Sequence, residues 1–352
     1  MELINYLKSN NLVSFESVKE NMALNNLHVK DDTSSSTNLY MIYYSFGQDL
    51  PQAWMRQCRG IILEKETNRI VCYTFDKNYD SITELEPNYN RIEELIDGTQ
   101  IRLFFYNGEW RCATTRCIDA KKAYWFSDKS FFDMFGEAAT AIGFDLNKLD
   151  KACCYAFVLC HPENRIVVKY EKPALYHVLT RNMNTLQETE CDIGVAKPRR
   201  YDSLPASGIA IIVDRNGRRM KVQDDKYKLM KELRGNGNNL FFRYLELRKD
   251  GLVDQFLEYY PEYEKKIEEY QREFANMTSE IYKLYVSKHI THGITDETPK
   301  HMKHILYMLH GNYLRTGRKI TYVNVAEELN ELDVKLVCHM FNKTFGCHYR
   351  ED

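Results

Sequence analysis

The sequence predicts an α+β protein in which antiparallel sheets come first and an all-α region follows. Three hairpin patterns lie before residue 222, each with two β-rich runs joined by a polar turn. From residue 231 onward, apolar residues recur at the three- and four-residue spacing of amphipathic helices. We therefore predict two domains, residues 1–230 and residues 231–352.

The first 24 residues are expected to form two short helices, because their apolar residues recur at helical spacing. Residues 31–37, DDTSSST, indicate a polar loop, and NLYMIYYSF after them indicates a strand. We assign the tyrosines of this strand to the core and to cross-strand pairs rather than to base stacking, since strand aromatics usually pack.

Three segments are typical of hairpins: IILEKETNRIVCYTF, IRLFFYNGEWRCATT and GIAIIVDRNGRRMKV. We place the turn of the second at Asn107–Gly108, which fits a tight primed turn because Asn-Gly accepts its positive φ angles, and the turn of the third at Asn216–Gly217. KSFFDMFGEAATAIGF, between the strand pairs, has the spacing of a helix.

The region after residue 231 consists of successive helical patterns. Pro261 stands where a long helix is expected to begin, and Thr321 is placed to cap a later helix before Val323. The helical segments are NLFFRYLELRK, LVDQFLEYY, YEKKIEEYQREFANMTSEIYKLYV, HMKHILYMLHGNYL and VNVAEELNELDVKLVCHMF.

Composition excludes a disordered chain and a tail-driven nucleic-acid binder. The 352 residues are 44% hydrophobic with a net charge of −2. Residues 197–234 nevertheless hold eleven Lys and Arg against five Asp and Glu, a net +6, and residues 250–280 carry a net −6. The basic segment could bind RNA phosphates or be neutralised by acidic groups in the chain or in a protein partner; we slightly favour neutralisation.

The N-terminus has no secretion signal, and no run of apolar residues is long enough for a membrane span. The ten cysteines are scattered, and several fall in apparent strands. Buried reduced thiols are favoured over a disulfide framework. We therefore expect a soluble protein of the cytoplasm with no membrane partner.

Histidine and cysteine pairs near the C-terminus do not predict a metal site. His301 and His304, Cys338–His339 and Cys347–His348 lack the paired spacing typical of zinc ligands. No Walker loop, G-x-S-x-G or H-E-x-x-H pattern occurs, so no standard hydrolase or NTPase signature indicates another enzyme.

A series of motifs spans most of residues 40–230: QCRGIILE, TFDKNYD, IDGTQIRLFFYNGEWRCATTRCIDA, FVLCHPENRIVVKY, GIAIIVDRNGRRMKVQDDKY and LRGN. In this order and spacing the chain resembles the RNA ligase family of the phage tRNA-repair type. The resemblance implies an antiparallel-sheet nucleotidyltransferase fold, the ATP-grasp-like ligase architecture. It also implies an origin in a phage or large DNA virus.

The family's first motif is Lys-x-Asp-Gly, whose lysine attacks the α-phosphate of ATP and carries AMP as a phosphoramidate. Matching Asp97 and Gly98 to this motif places Leu95 at the nucleophile. Leucine has no lone pair and cannot form the adduct. The preceding residues, Glu93 and Glu94, provide no lysine either.

Three further positions depart from the family pattern. Val158 replaces a glutamate associated with the ribose, and Ser207 replaces a glutamate near the metal, where Mg²⁺ prefers a carboxylate. Gln223 replaces the second lysine of a Lys-x-Lys motif, of which Lys221 remains. We class Leu95, Val158, Ser207 and Gln223 as degenerate positions.

Several positions remain candidates for binding a nucleotide or phosphate: Arg59, Lys77, Asp97, Gly98, Arg219 and Lys221. One interpretation is a remnant polyanion site built on point charges and forked donors. The other is that the basic side chains are solvated or form internal ion pairs, for example with Asp97 or Asp76.

These observations favour an RNA ligase-like pseudoenzyme that has lost self-adenylylation and binds RNA, a nucleotide or a protein, with no catalytic residue, cofactor or metal. The alternative is an active ATP-dependent RNA ligase that uses ATP and Mg²⁺ and a relocated nucleophile such as Lys77 or Lys221. A third hypothesis, implied by the resemblance, is recognition of a tRNA-like acceptor by the helical region. The oligomeric state is not predicted.

Overall fold

The computed structural model describes residues 1–32, 37–85, 90–292 and 298–346. The chain divides into two compact units, Met1–Lys228 and Leu229–Asp352. The first combines antiparallel sheets with helices, and the described part of the second is helical, which confirms the predicted fold class. Residues 33–36 of the predicted polar loop and the Cys347–His348 pair lie outside the described residues.

The chain begins with the two predicted helices, α1 (Glu2–Ser9) and α2 (Phe15–Leu24), and a short helix α3 (Ala53–Arg56) follows later. Four strands form the first sheet in the order β1-β2-β3-β4, with every neighbouring pair antiparallel. Their bounds are β1 (His28–Asp31), β2 (Leu39–Tyr43), β3 (Ile61–Glu64) and β4 (Ile70–Cys72).

Strand β2 is apolar along its length because both faces of the first sheet are covered. Tyr40 and Ile42 belong to a core that includes residues of α1, α2 and α3. Leu39 and Met41 point the other way, into a core shared with Phe104 and other residues of the second sheet. The assignment of Tyr40 to packing is therefore confirmed.

The second sheet has the order β10-β9-β8-β6-β7, again with antiparallel pairs. Asn107 and Gly108 have φ angles of 50° and 85°, so the predicted primed turn joins the strand that ends at Tyr106 to the edge strand that begins at Glu109. The third sheet has the order β11-β5-β12-β13. The strands are β5 (Arg91–Glu94), β6 (Thr99–Tyr106), β7 (Glu109–Ala113), β8 (Cys153–Cys160), β9 (Ala174–Asn182), β10 (Glu188–Thr189), β11 (Arg200–Tyr201), β12 (Ala210–Val213) and β13 (Arg219–Val222).

Helix α4 (Phe131–Ala141) packs its apolar face on the second sheet. Ser130 caps its first turn by accepting a hydrogen bond from the backbone N–H of Asp133, which is the usual role of a serine before a helix. The two sheets are thus enclosed between the N-terminal helices on one side and α4 on the other.

Residues 73–80, which follow β4, connect all three sheets. The backbone oxygen of Thr74 accepts from Arg181 of β9, and its hydroxyl accepts from Gln100 of β6 at 3.0 Å. Farther along, the backbone N–H of Tyr79 donates to the carbonyl of Arg219 in β13 at 2.7 Å. This segment therefore fixes the positions of the strands that carry most of the candidate residues.

Helix α5 (Asp225–Arg234) spans the boundary between the two units. Pro261 opens a 3-10 turn that leads directly into the long helix, as the sequence predicts. Thr321 caps the helix that begins at Tyr322, which the sequence also predicts. The last predicted segment forms two helices, because Asp333 begins a new one with its own cap. The helices are α6 (Leu240–Lys249), α7 (Val253–Tyr259), α8 (Glu264–His289), α9 (Lys303–Thr316), α10 (Tyr322–Glu331) and α11 (Val334–Phe345).

None of the helices in the described ranges combines the length and the apolar character that a bilayer crossing requires. The nine cysteines that the structure describes are free thiols.

Gly98, just before β6, allows the second sheet to form. A Cβ atom there would lie 2.4 Å from the carbonyl oxygen of Leu159 and 2.8 Å from Val158 Cγ1. We expect Gly98→Ala to lower the free energy of unfolding of the N-terminal unit by about 1–3 kcal/mol, because the strand backbone must move apart. Urea unfolding followed by tryptophan fluorescence measures this, since all three tryptophans lie in Met1–Lys228.

The matched control is Gly136→Ala, in the middle of α4, where a Cβ atom meets nothing within 4 Å. It should stabilise the unit by about 0.5–1 kcal/mol, as glycine is a poor helix former. If Gly98→Ala and the wild type have the same free energy of unfolding, the packing role of Gly98 is contradicted.

Candidate nucleotide-binding site

Asp97 lies between β5 and β6 and is only 4% exposed. Its Oδ2 accepts hydrogen bonds from the backbone N–H groups of Val167 and Val168, both at 2.8 Å. Its Oδ1 accepts from the hydroxyl of Tyr227. Three protein donors thus satisfy the carboxylate, which connects residues far apart in the chain.

Leu95 occupies the position of the family's nucleophile and is 9% exposed. It follows directly after the last residue of β5, Glu94, so the strand fixes its backbone. A buried leucine offers neither a lone pair nor a charge. The structure therefore places an apolar side chain where the resemblance requires an amine.

Gly98 and Val158 lie next to one another where β6 meets β8. Val158 pairs with Gln100 on one side and with Tyr176 of β9 on the other. Its side chain is half-buried and apolar, so it cannot accept a hydrogen bond from a ribose hydroxyl. The close approach of Leu159 and Val158 therefore requires a glycine at position 98 for strand packing.

Ser207, Lys221 and Gln223 belong to the hairpin of β12 and β13 and its approach. Ser207 is exposed and accepts a 3.4 Å hydrogen bond from the backbone N–H of Ile209. Lys221 is exposed on β13, at the edge of the third sheet. The Nε2 atom of Gln223 is buried without a hydrogen-bond partner among the described residues.

Arg219 is buried inside the N-terminal unit rather than presented to solvent. Its Nη1 atom lies 3.1 Å from Glu93 Oε2, and its guanidinium lies 4.2 Å from the centre of the Phe75 ring. Burial lowers the pKa of Arg219, and the negative charge of Glu93 opposes that shift. This residue forms an internal ion pair, as one of the two sequence interpretations expects, although with Glu93 rather than with Asp97 or Asp76.

Lys77 is also paired. Its Nζ atom lies 2.9 Å from Asp80 Oδ2, and its backbone N–H donates to the carbonyl of Arg56. Arg56 in turn stacks on Tyr79 at 4.3 Å and pairs with Glu84 at 3.3 Å. The positive charges of this region are therefore largely balanced by neighbouring carboxylates.

Arg59 differs from Arg219 and Lys77, because its guanidinium forms no hydrogen bond or ion pair with the described residues. Burial lowers the pKa of Arg59; Asp76 and Tyr44 oppose that shift, and Arg102 adds to it. Arg116, which is exposed, also acts electrostatically on Tyr44. Arg102 is fully buried and donates to the carbonyls of Gly60 and Thr114, so Arg59 is the candidate residue with donors available to an external anion.

The contacts gather the candidate residues into two groups. Asp97 and Gly98 lie at the start of β6, and Gly98 contacts Val158. Lys77 and Arg219 are brought together by the chain segment that contains Tyr79. Sequence reasoning missed Glu93 and Tyr227 as partners of these residues. The segment around Glu93, RIEE, is short and polar and gave no signal of a buried strand, and nothing near Tyr227 indicated a bond to Asp97.

These residues do not fit ATP and Mg²⁺ in the arrangement that the resemblance implies. The adduct needs an amine where Leu95 stands, and both oxygens of Asp97 already accept protein hydrogen bonds. Ser207 brings a hydroxyl where the metal would prefer a carboxylate. The described contacts of Asp97 and Gly98 connect separate parts of the N-terminal unit.

Asp97→Asn should lower the free energy of unfolding of the N-terminal unit by about 1–3 kcal/mol, because an amide cannot accept at all three donors. Tyr227→Phe should lower it by about 1 kcal/mol through the loss of one bond. Tryptophan fluorescence during urea unfolding measures both variants.

Asp80→Asn is the matched control, since the Asp80 side chain is 77% exposed. It should change the free energy by less than about 1 kcal/mol, as surface ion pairs contribute little. An Asp97→Asn protein as stable as this control would refute the structural role of Asp97.

No protein-family model matches the chain. Among known proteins, the RNA ligase of Rhodothermus phage RM378 is 27% identical over 184 residues, which cover 42% of this chain and 42% of that ligase. A protein of Autographa californica nuclear polyhedrosis virus, named a bifunctional polynucleotide kinase/RNA ligase, is 29% identical over 166 residues, covering 41% and 24%. An ICP-46 immediate-early protein homolog of Invertebrate iridescent virus 3 is 23% identical over 272 residues, covering 66% and 60%.

The chain thus spans less than half the length of the two proteins named as ligases. Among solved structures, form 1 of an archaeal ATP-dependent RNA ligase gives a TM-score of 0.40 at 12% identity, covering 89% of this chain and 78% of that one. A Naegleria gruberi RNA ligase mutant with ATP and Mn gives 0.33 at 8% identity, covering 43% and 54%. Both scores are low, and the fold class is established by the sheets and helices themselves. The two relatives named as RNA ligases support the resemblance to RNA ligases that the motifs predict.

Proposed function

We propose that this chain is an RNA ligase-like protein that has lost self-adenylylation and acts by binding RNA, a nucleotide or a protein. The observation that carries the proposal is Leu95, a buried apolar side chain at the position of the nucleophile. Nucleotidyl transfer through a phosphoramidate needs an amine held in line with the α-phosphate. Leucine cannot supply it.

The neighbouring residues support the same conclusion. Asp97 is bonded to Val167, Val168 and Tyr227, and its carboxylate has a structural task that is independent of any ligand. Arg219 is neutralised by Glu93 inside the unit. An unpaired guanidinium at Arg59 is compatible with binding an anion without covalent chemistry.

The alternative is an active ATP-dependent RNA ligase with a relocated lysine, and the names of two relatives favour it. Lys77 and Lys221 are the candidate nucleophiles. Lys77 would have to leave its ion pair with Asp80 before its amine could attack. Lys221 lies exposed on an edge strand, where water competes for any phosphate that it contacts.

We also propose that the protein is of viral origin and acts in the cytoplasm. The relatives named above come from a phage and from viruses, and we infer a viral origin for this chain as well. A role in tRNA repair remains a prediction of the motif resemblance.

Incubation with α-labelled ATP and Mg²⁺ tests the loss of self-adenylylation. We expect no AMP adduct on a denaturing gel or by mass spectrometry. We also expect none on Leu95→Lys, because Val158, Ser207 and Gln223 would still depart from the family pattern. An active phage RNA ligase in the same buffer serves as the positive control.

The alternative predicts a different pattern. A stable adduct on the wild-type chain that disappears in Lys77→Ala or in Lys221→Ala would establish the relocated nucleophile and overturn the proposal. An adduct on Leu95→Lys alone would show that the pocket is intact and that the nucleophile was the only loss.

A further inference from the structure

Two cysteine thiols meet in the core between the first and second sheets. Cys72 is the last residue of β4 and Cys154 lies in β8, and both side chains are fully buried. Their Sγ atoms are 3.1 Å apart, although the two residues are separated by 82 positions in the chain. Both belong to an apolar core that also contains residues of β2, β3 and β6. The fold therefore brings together two thiols that the sequence does not associate.

The separation of the two sulfurs is close to that of a disulfide. A disulfide holds its sulfurs at about 2.05 Å, so closing the bond requires each Sγ atom to move by about 0.5 Å. The backbones on either side are fixed by their sheets, because Cys72 pairs with Ile62 of β3 and Cys154 pairs with Arg181 of β9. The two side chains are therefore held facing one another across the core.

A buried positive charge acts on this pair. Arg102 of β6 is fully buried, and its guanidinium donates to the carbonyls of Gly60 and Thr114. Its Nε atom has no hydrogen-bond partner, and within the described ranges of the chain no carboxylate pairs with it. A buried cation is costly unless nearby groups compensate its charge. The charge of Arg102 favours the thiolate form of both Cys72 and Cys154.

The two thiols are not equivalent. Burial raises the pKa of the Cys72 thiol, but the hydrogen bond from Cys154 and the charge of Arg102 outweigh burial, so the pKa of Cys72 lies below its ordinary value. Burial and the same hydrogen bond hold the pKa of Cys154 well above its ordinary value. Because the thiolate is the reactive form of cysteine, Cys72 is the sulfur that attacks an oxidant first. Cys154 is then placed to attack the oxidised sulfur.

We propose that Cys72 and Cys154 form an oxidative modification site, at which hydrogen peroxide converts the two thiols into a disulfide that ties the first sheet to the second. Peroxide is a neutral molecule of nearly the size of water, and the local openings of a native protein admit it. Glutathione is far larger, so the closed core protects the finished bond from reduction.

The reaction has two balanced steps. The Cys72 sulfur attacks one peroxide oxygen and the O–O bond breaks; Cys72 becomes a sulfenic acid, and the other oxygen leaves as water with the thiol proton. The Cys154 sulfur then attacks the Cys72 sulfur and the S–O bond breaks. The hydroxide released takes the proton of Cys154 and leaves as a second water. Two electrons pass from the sulfurs to peroxide.

The bond would act on the chain segment that begins directly after Cys72. Residues 73–80 contact the other sheets through Thr74 and Tyr79 and contain the motif candidate Lys77. A bridge from Cys72 to Cys154 fixes the start of this segment on β8. The inference does not rest on the proposed function, because no step involves ATP or a position of the ligase motifs.

Oxidation of the full chain with hydrogen peroxide in native buffer, followed by alkylation of the remaining thiols in urea and peptide mass spectrometry without reduction, tests the site. We expect one cross-linked peptide pair that contains Cys72 and Cys154 and lacks two hydrogens. Oxidation of the half-buried Cys117 or Cys191, with Cys72 and Cys154 left as free thiols, would overturn the proposal. A bridge that forms only when peroxide is added in urea would overturn it as well.

The bridge should also raise the urea midpoint of the N-terminal unit by about 1 M, because a cross-link over a long loop lowers the entropy of the unfolded chain. Tryptophan fluorescence measures the midpoint before and after oxidation. Cys72→Ala and Cys154→Ala should each abolish the increase. The matched control Cys112→Ala removes another buried thiol near the charge of Arg102 and should keep it.

An increase that persists in Cys72→Ala or Cys154→Ala would refute the assignment, as would an unchanged midpoint in a wild-type chain whose peptide map shows the bridge. Where an alanine variant fails to fold, the peptide map of the wild-type chain still decides. An AMP adduct on the wild-type chain would overturn the proposed function and leave this site untouched.

Discussion

The hydrogen bonds of Asp97 are the constraint on which the candidate site depends. One carboxylate joins the start of β6 to the loop at Val167 and Val168 and to Tyr227, which lies 130 residues away in the chain. Because the group is buried, its charge is tolerated only while those donors are in place. The residue that most resembles a ligase motif is thus also part of the framework of the N-terminal unit.

A second constraint is the path of residues 73–80 across the sheets. Bonds from Gln100 and Arg181 fix Thr74, and the bond from Tyr79 to Arg219 fixes the far end. The arginines near this segment differ in state: Arg219 is neutralised by Glu93, whereas Arg59 keeps its donors. Arg59 and Arg219 are both motif candidates, yet only Arg59 retains the capacity to bind an external anion.

Sequence reasoning recovers the elements whose signals are local. A few adjacent residues are enough to specify the Asn107–Gly108 turn, the helix capped by Ser130 and the helix that follows Thr321. It misses β1 and β5, since HVKD and RIEE are short and polar. Glu93 of β5 is buried between two arginines, its neighbour Arg91 and Arg219, which lies 126 residues away in the chain. Motif positions could be located from the sequence, but the partners that decide their chemistry depend on tertiary contacts.

The close approach at Gly98 has a consequence for how such motifs persist. A side chain at this position would collide with Leu159, and the neighbouring Asp97 is held by three donors, so selection for folding would preserve the Asp-Gly pair without any catalysis. The position of the nucleophile has no such requirement for a lysine, since a leucine is buried there directly after β5. A lineage that loses the nucleophile would therefore keep the Asp-Gly pair even while other motif positions change, and such a pair in a related sequence is not by itself evidence of activity.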